Sequence, residues 1–96
     1  MSVTVLVPSA LAAFAGGRRE VELGPAGGPG TTVAEVFDRL ADELPALERR
    51  LRDERAAIRR HVNVYVDGTD IRDLSGPGTA VPDGATVQVI AAVSGG

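Results

Sequence analysis

The apolar stripe between residues 33 and 44 constrains this chain more than anything else in it. Val33, Val36, Phe37, Leu40 and Leu44 recur at three- and four-residue steps, while Glu35, Asp38, Arg39, Asp42 and Glu43 fall elsewhere around the same turns. A helix with one such stripe must lay it against another layer. Thr32 and Glu35 have capping-box spacing, which predicts that the helix starts here, with hydroxyl and carboxylate satisfying orphan amides reciprocally.

The covering layer is written in short runs of period two. Val3 to Val7 is β-branched and alternating, with Val3, Val5 and Val7 on one face and Leu6 on the other. Leu11 and Phe14 have helical spacing in an Ala-rich connector ended by Gly16-Gly17, and Val21 and Leu23 then turn inward on a second strand. Val62-Asn63-Val64-Tyr65-Val66 alternates strictly into Asp67-Gly68, a turn signal that predicts a short returning strand around Asp70-Ile71. Pro82-Asp83-Gly84 marks another turn before a last strand, Thr86 to Ile90, with Val87 and Val89 inward. Pro45 suits the first turn of a second helix carrying Leu47, Leu51 and Ile58, with the Arg-rich remainder from Glu48 to Arg60 solvated. Gly24 to Gly30 reads as a flexible loop inside one domain, since glycine raises the cost of ordering and proline lacks a donor.

Ninety-six residues suit one domain. The expected fold is an α+β roll of the β-grasp kind: a mixed sheet of about five strands packed on one main helix. Residues 1–90 form the domain and 91–96 a flexible tail ending in Gly-Gly.

Composition removes several classes of function. A net charge of -3 gives no cationic footprint for nucleic acid. The absence of cysteine removes disulfides, thiolate metal sites and a thiol nucleophile. No apolar run approaches the roughly 20 residues that span a bilayer, which leads to the expectation of a cytoplasmic protein without membrane contact, monomeric when alone. All ten basic residues are arginine, a pattern that base composition explains better than selection against self-conjugation.

The chemistry is expected at the end of the sequence. Gly95 and Gly96 follow the last strand directly, and the six residues from Ala91 could reach about 20 Å. Val93, Ser94 and Gly95 lead to Gly96, and the absent side chains of Gly95 and Gly96 would let the backbone thread a narrow channel. A carboxylate is a poor electrophile until it is turned into a mixed anhydride, so ATP and magnesium would be used by a partner, with no cofactor held by this chain. From position alone, two terminal glycines are equally consistent with a frayed end.

Val62-Asn63-Val64-Tyr65-Val66-Asp67-Gly68, Pro82-Asp83-Gly84 leading to Val87-Gln88-Val89, and Gly95-Gly96 together resemble the molybdopterin-synthase small-subunit and thiamine sulfur-carrier family, MoaD/ThiS, over essentially the whole chain. Val-Asn-x-Tyr-Val, Asp-x-x-Asp-x-Arg and Ala-Val-x-Gly-Gly are most similar to its carriers of thiocarboxylate-dependent cysteine synthesis. The resemblance implies that Gly96 is adenylated by a ubiquitin-activating-type adenylyltransferase and receives sulfur from a sulfurtransferase or sulfide. As a thiocarboxylate it would then supply a sulfur-accepting biosynthetic enzyme. Cysteine is the first expectation for the product, with molybdopterin, thiazole or thiosugar as alternatives. Ala91 stands where the family often has proline, which leaves the exit angle of the tail less constrained.

The chain is expected to be a cosubstrate and not an enzyme, because no nucleophile and base occur together. Two alternatives keep the same fold: a protein modifier conjugated through Gly96, and an unreactive interaction domain. Leu6 and Ile90, pointing away from the core on neighbouring strands, are the expected partner-binding patch together with Ala92. His61 lacks both orienter and nucleophile and reads as a strand-edge residue. Asp67, Asp70 and Asp73 lack the full ligand series of a calcium loop and read as turn and surface residues, and no metal is expected. Gly24 to Gly30 lacks both phosphate-loop and dinucleotide spacing. Arg49, Arg50, Arg52, Arg55, Arg59 and Arg60 are consistent with a basic face for an acidic partner, but Glu48, Asp53 and Glu54 interrupt it, and a solvated, salt-bridged face is the preferred reading.

Overall fold

The computed structural model describes residues 1–91. Strands β1 (Val3–Leu6), β2 (Glu20–Leu23), β3 (Val62–Val66), β4 (Thr69–Asp70) and β5 (Thr86–Ala91) form one mixed sheet in the order β2-β1-β5-β3-β4. β1 runs parallel to β5, and the other neighbours are antiparallel. Helices α1 (Val33–Glu43) and α2 (Pro45–Leu51) follow β2, and a 3-10 turn over Ser9–Ala15 joins β1 to β2. This is the expected β-grasp roll.

The periodicities predict the core. Val3, Val5, Val21, Leu23, Val64, Val87 and Val89 are buried from the sheet, and Val33, Val36, Phe37 and Leu40 meet them from α1. Thr32 caps α1 by accepting a hydrogen bond from the Glu35 amide at 3.3 Å. Gly16, at φ 67, ends the 3-10 turn in the left-handed region, where glycine carries no Cβ penalty. Asp67 and Gly68 both take positive φ, as a tight hairpin requires.

Five expectations need correction. β4 is Thr69–Asp70, because Ile71 drops into the core at the start of a 3-10 turn. β5 continues through Ala91, which pairs with Val62, so the domain extends one residue beyond 90. Ile58 is not on α2: the helix stops at Leu51, and Ile58 is brought back opposite Arg52 by an isolated bridge. Arg52 is not solvated; it is 6% exposed and pinned between two carboxylates. Within the Gly24 to Gly30 stretch, Ala26 and Gly27 are buried and the ends are exposed. Ala26 is buried and donates to the Met1 carbonyl, and Gly28 donates to that of Val81. A Cβ on Gly27 would stand 2.8 Å from Val3 Cγ2 and 3.0 Å from the Pro82 carbonyl, so this loop needs glycine for close approach.

Arg52 ties the two helices together. Its Nε donates to Glu48 at 2.7 Å, its Nη2 donates to Asp38 on α1 at 2.9 Å, and its guanidinium lies 5.6 Å from the Phe37 ring centroid. Burial alone would push its pKa down, but the hydrogen bonds it donates to Glu48 and Asp38, with the charges of those carboxylates, outweigh that and hold it above its ordinary value.

Candidate functional site: docking face and tail root

The helices cover one face of the sheet, and alternation leaves every second side chain on the other. Register then decides which of these meet. Leu6 stands opposite Gln88 in the parallel β1/β5 pair, and Asn63 and Tyr65 stand opposite Ile90 and Gln88 in the antiparallel β3/β5 pair. Leu6 is half-buried and Ile90 is 40% exposed. The two line a groove of about 440 Å³ with Pro8, Arg19, Glu20 and Gln88. The sequence therefore placed both Leu6 and Ile90 on the uncovered face, beside the end of β5. Tyr65 and Gln88 belong to the same surface and were missed, although the alternation of β3 and β5 already turns them away from Val64 and Val89.

Ala91 closes the β3/β5 ladder opposite Val62, and β5 lies third of five strands. The chain thus leaves the described structure from the middle of the sheet. The expected tail residues Ala92, Val93, Ser94, Gly95 and Gly96 lie outside the described residues. At the same end, Arg19 Nε donates to the Val7 carbonyl at 3.1 Å.

The remaining polar residues have local partners. Asp67 accepts from the Thr86 amide at 2.9 Å, joining the β3–β4 turn to the start of β5. Asp70 sits opposite Tyr65 and pairs with Arg72 at 2.8 Å. Hydrogen bonds from the Arg72 side chain and amide hold the Asp70 carboxyl below its usual range. His61 is exposed in the turn before β3. Among the described residues no group of three His, Asp or Glu is placed to hold a metal ion, and no helix is long and apolar enough to cross a membrane.

The surface therefore offers an apolar contact, polar neighbours and the last described residue of the chain on a middle strand. Comparison with known proteins agrees with that arrangement. The sequence matches the ThiS family over residues 5–96. It is 34% identical to the sulfur carrier protein CysO of Mycobacterium tuberculosis over 98 aligned positions, covering 100% of both chains. The fold is similar to the crystal structure of the Amycolatopsis orientalis BexX/CysO complex, with a TM-score of 0.82, 35% identity and coverage of 98% of this chain and 99% of that one. It is also similar to SAMP1 of Haloferax volcanii, with a TM-score of 0.81 and 29% identity over the full length of both. These relatives are small carrier or modifier proteins, and the CysO likeness spans the whole chain. The protein belongs to the ThiS/MoaD family of ubiquitin-like sulfur carriers.

Proposed function

We propose that this chain carries sulfur as a thiocarboxylate on Gly96. The observation that carries this reading is the end-to-end similarity to CysO, with no gap in coverage on either side. The sheet supports it by rooting the tail on a middle strand beside the Leu6 and Ile90 groove.

The steps follow from carboxylate chemistry. A ubiquitin-activating-type adenylyltransferase binds the open face and takes the tail into its site. There the Gly96 carboxylate attacks the α-phosphorus of ATP, forming the acyl-adenylate and releasing pyrophosphate, with magnesium supplied by that enzyme. Hydrosulfide, or a persulfide from a sulfurtransferase followed by a reducing thiol, then displaces AMP and leaves the thiocarboxylate. A biosynthetic enzyme accepts the sulfur for a sulfur-containing metabolite, cysteine in the first instance, and the carboxylate is regenerated by hydrolysis. The chain itself supplies docking surface and reach, and catalysis resides in its partners. CysO in complex with BexX illustrates a carrier of this type assembled with another protein. We place these events in the cytoplasm, where ATP and biosynthetic acceptors are found.

A second reading is favoured by one observation: the chain is 37% identical over 65 residues to small archaeal modifier protein 3 of Haloferax volcanii, covering 68% of this chain and 70% of that one. In it the same activated Gly96 is transferred to a lysine amine of a target protein. Intact mass spectrometry after incubation with an adenylyltransferase, ATP and sulfide decides between them. A carrier gains the mass difference between sulfur and oxygen, whereas a modifier appears attached to larger proteins. Deleting Gly96 should abolish both products without changing thermal stability. Sulfur uptake by the truncated chain would refute the mechanism.

A further inference from the structure

A second surface beside the tail root is left over once the apolar groove has been assigned. Val62 pairs with Ala91, so the residues before Val62 lie next to the point where the tail departs. The segment from Asp53 to Ala57 folds back on itself, and Arg59 donates its amide to the Leu51 carbonyl, which brings this segment against α2. Arg49, Arg50, Arg59 and His61 then border one depression with Leu11 and Ala46, while Arg60 lines an adjoining one that it shares with Arg59, Asp70 and Arg72. All four arginines are exposed.

Among the described residues the ion pairs use Arg39, Arg52 and Arg72, and none involves these four. Of the acids that border these depressions, Asp70 beside Arg60 is paired with Arg72. Glu48 is committed to Arg52, and Asp53 accepts the Arg55 and Ala57 amides through one oxygen. Glu54 lies at the margin towards Arg49 and Arg59, and Glu20 borders the groove on the other side of the tail root. A chain with net charge -3 thus gathers four arginines on α2 and on the segment that leads into β3, whose first residue pairs with Ala91.

We propose that Arg49, Arg50, Arg59 and Arg60 form a basic collar that recognises an acidic protein rim, the carboxylates around the mouth of the chamber that receives the tail. The collar rests on the carrier reading for its biological role, but its chemistry stands on its own. Protein carboxylates fit better than a single phosphate group because two of the guanidinium groups are anchored at different places. The Arg50 guanidinium is stacked 4.4 Å from the Phe14 ring centroid, and Arg59 Nε is spent on the Arg49 carbonyl at 3.0 Å. Separated planar forks match separated carboxylates.

The test follows amide resonances of the full chain during titration with hexaglutamate, hexalysine and ATP at about 20 mM ionic strength, where surface charges are weakly screened. Hexaglutamate is expected to shift the amides of Arg49, Arg50, Arg59, Arg60 and His61, and hexalysine to leave them unmoved. Arg49→Glu/Arg60→Glu alters two side chains with no hydrogen bond among the described residues, so its spectrum should stay dispersed while hexaglutamate affinity falls roughly tenfold or more. Silence at these amides, unchanged affinity in the variant, or saturation by ATP at lower concentration than by hexaglutamate would each overturn the collar. In the last case nucleotide phosphates would be its ligand. With an adenylyltransferase that charges this chain, the variant should associate roughly tenfold more slowly yet reach the same final extent of sulfuration. If no adenylyltransferase charges the wild-type chain, the carrier reading fails, while the peptide titration still decides the collar.

Discussion

Replacing Arg52 by alanine should destabilise this domain more than any other change to an arginine. The side chain is 6% exposed and its Nε bond to Glu48 is 2.7 Å long, with the Glu48 side chain itself only 14% exposed. A hydrogen bond between charged, mostly buried partners is worth about 1.5–3 kcal/mol. The contact with Asp38 is discounted, since that side chain is 68% exposed and such pairs contribute about 0–1 kcal/mol. Removing the stem beside Phe37 costs on the order of 1 kcal/mol more, because each buried methylene is worth about 0.8 kcal/mol. The expected loss for Arg52→Ala is about 3 kcal/mol, which lowers the Tm of a domain this size by about 12–24 °C. Urea unfolding followed by circular dichroism measures it, with an unchanged slope indicating that only stability has moved. Arg52→Met keeps the stem but strands Glu48, and Arg52→Met/Glu48→Gln should recover part of the deficit, as expected when both partners of a buried pair are replaced. The effect should persist at about 0.5 M NaCl, unlike that of an exposed pair. If Arg52→Ala unfolds within about 0.5 kcal/mol of wild type, the argument that this residue joins the helices is wrong.

Other expectations concern single positions. Ile90→Asp puts a carboxylate in the groove shared with Leu6, and should weaken adenylyltransferase binding by about 1–3 kcal/mol in calorimetry while leaving the melting temperature nearly unchanged, since Ile90 is already 40% exposed. An equal affinity would remove the groove from the docking surface. Gly27→Ala meets Val3 Cγ2 at 2.8 Å and takes φ +86, so it should cost about 1–3 kcal/mol of stability by urea unfolding; a neutral result would mean that the loop yields freely. Asp70 has a folded pKa below its unfolded value through Arg72, so its contribution is present above the ordinary carboxylate range and fades as pH falls through the depressed value. The stability gap between wild type and Asp70→Asn should therefore narrow on acidification, and a gap that widened would contradict the pairing.

What the sequence made legible is what alternation and turn chemistry encode locally. Period two along Val62 to Val66 put Val64 in the core, and Asp67-Gly68 announced the hairpin because two successive positive φ values leave few other choices. The stripe on α1 located four of its five residues in the core, with Leu44 half-buried at the cap. Arg52 was misread for a geometric reason. Beyond Leu51 the backbone turns extended, with φ -126 and ψ 151 at Arg52, so a helical projection carried past that point rotates its side chain towards solvent. The packed middle of the Gly24 to Gly30 loop was illegible because its contacts are with Met1, Val3, Val81 and Pro82, remote in sequence, and composition reports only what an isolated loop would cost. The arginines of the collar were legible as one face, but not that Arg49, Arg50, Arg59 and Arg60 make no ion pair among the described residues, because the acids that interrupt them in sequence turn to Arg52 and to backbone amides.

The two surfaces at the tail root differ in kind, and that difference predicts how a partner is engaged. Leu6 and Ile90 lie on the open face of the sheet, whereas Arg49 and Arg50 belong to α2 on the covered face, with Ala91 between them on the middle strand. An apolar contact acts at short range and governs how long a complex lasts, while exposed charges act across a Debye length and govern how often it forms. Salt should therefore slow association through the collar and leave dissociation, set by Ile90, almost untouched. One charge-dominated side and one apolar side also forbid a partner from docking rotated by half a turn about the tail.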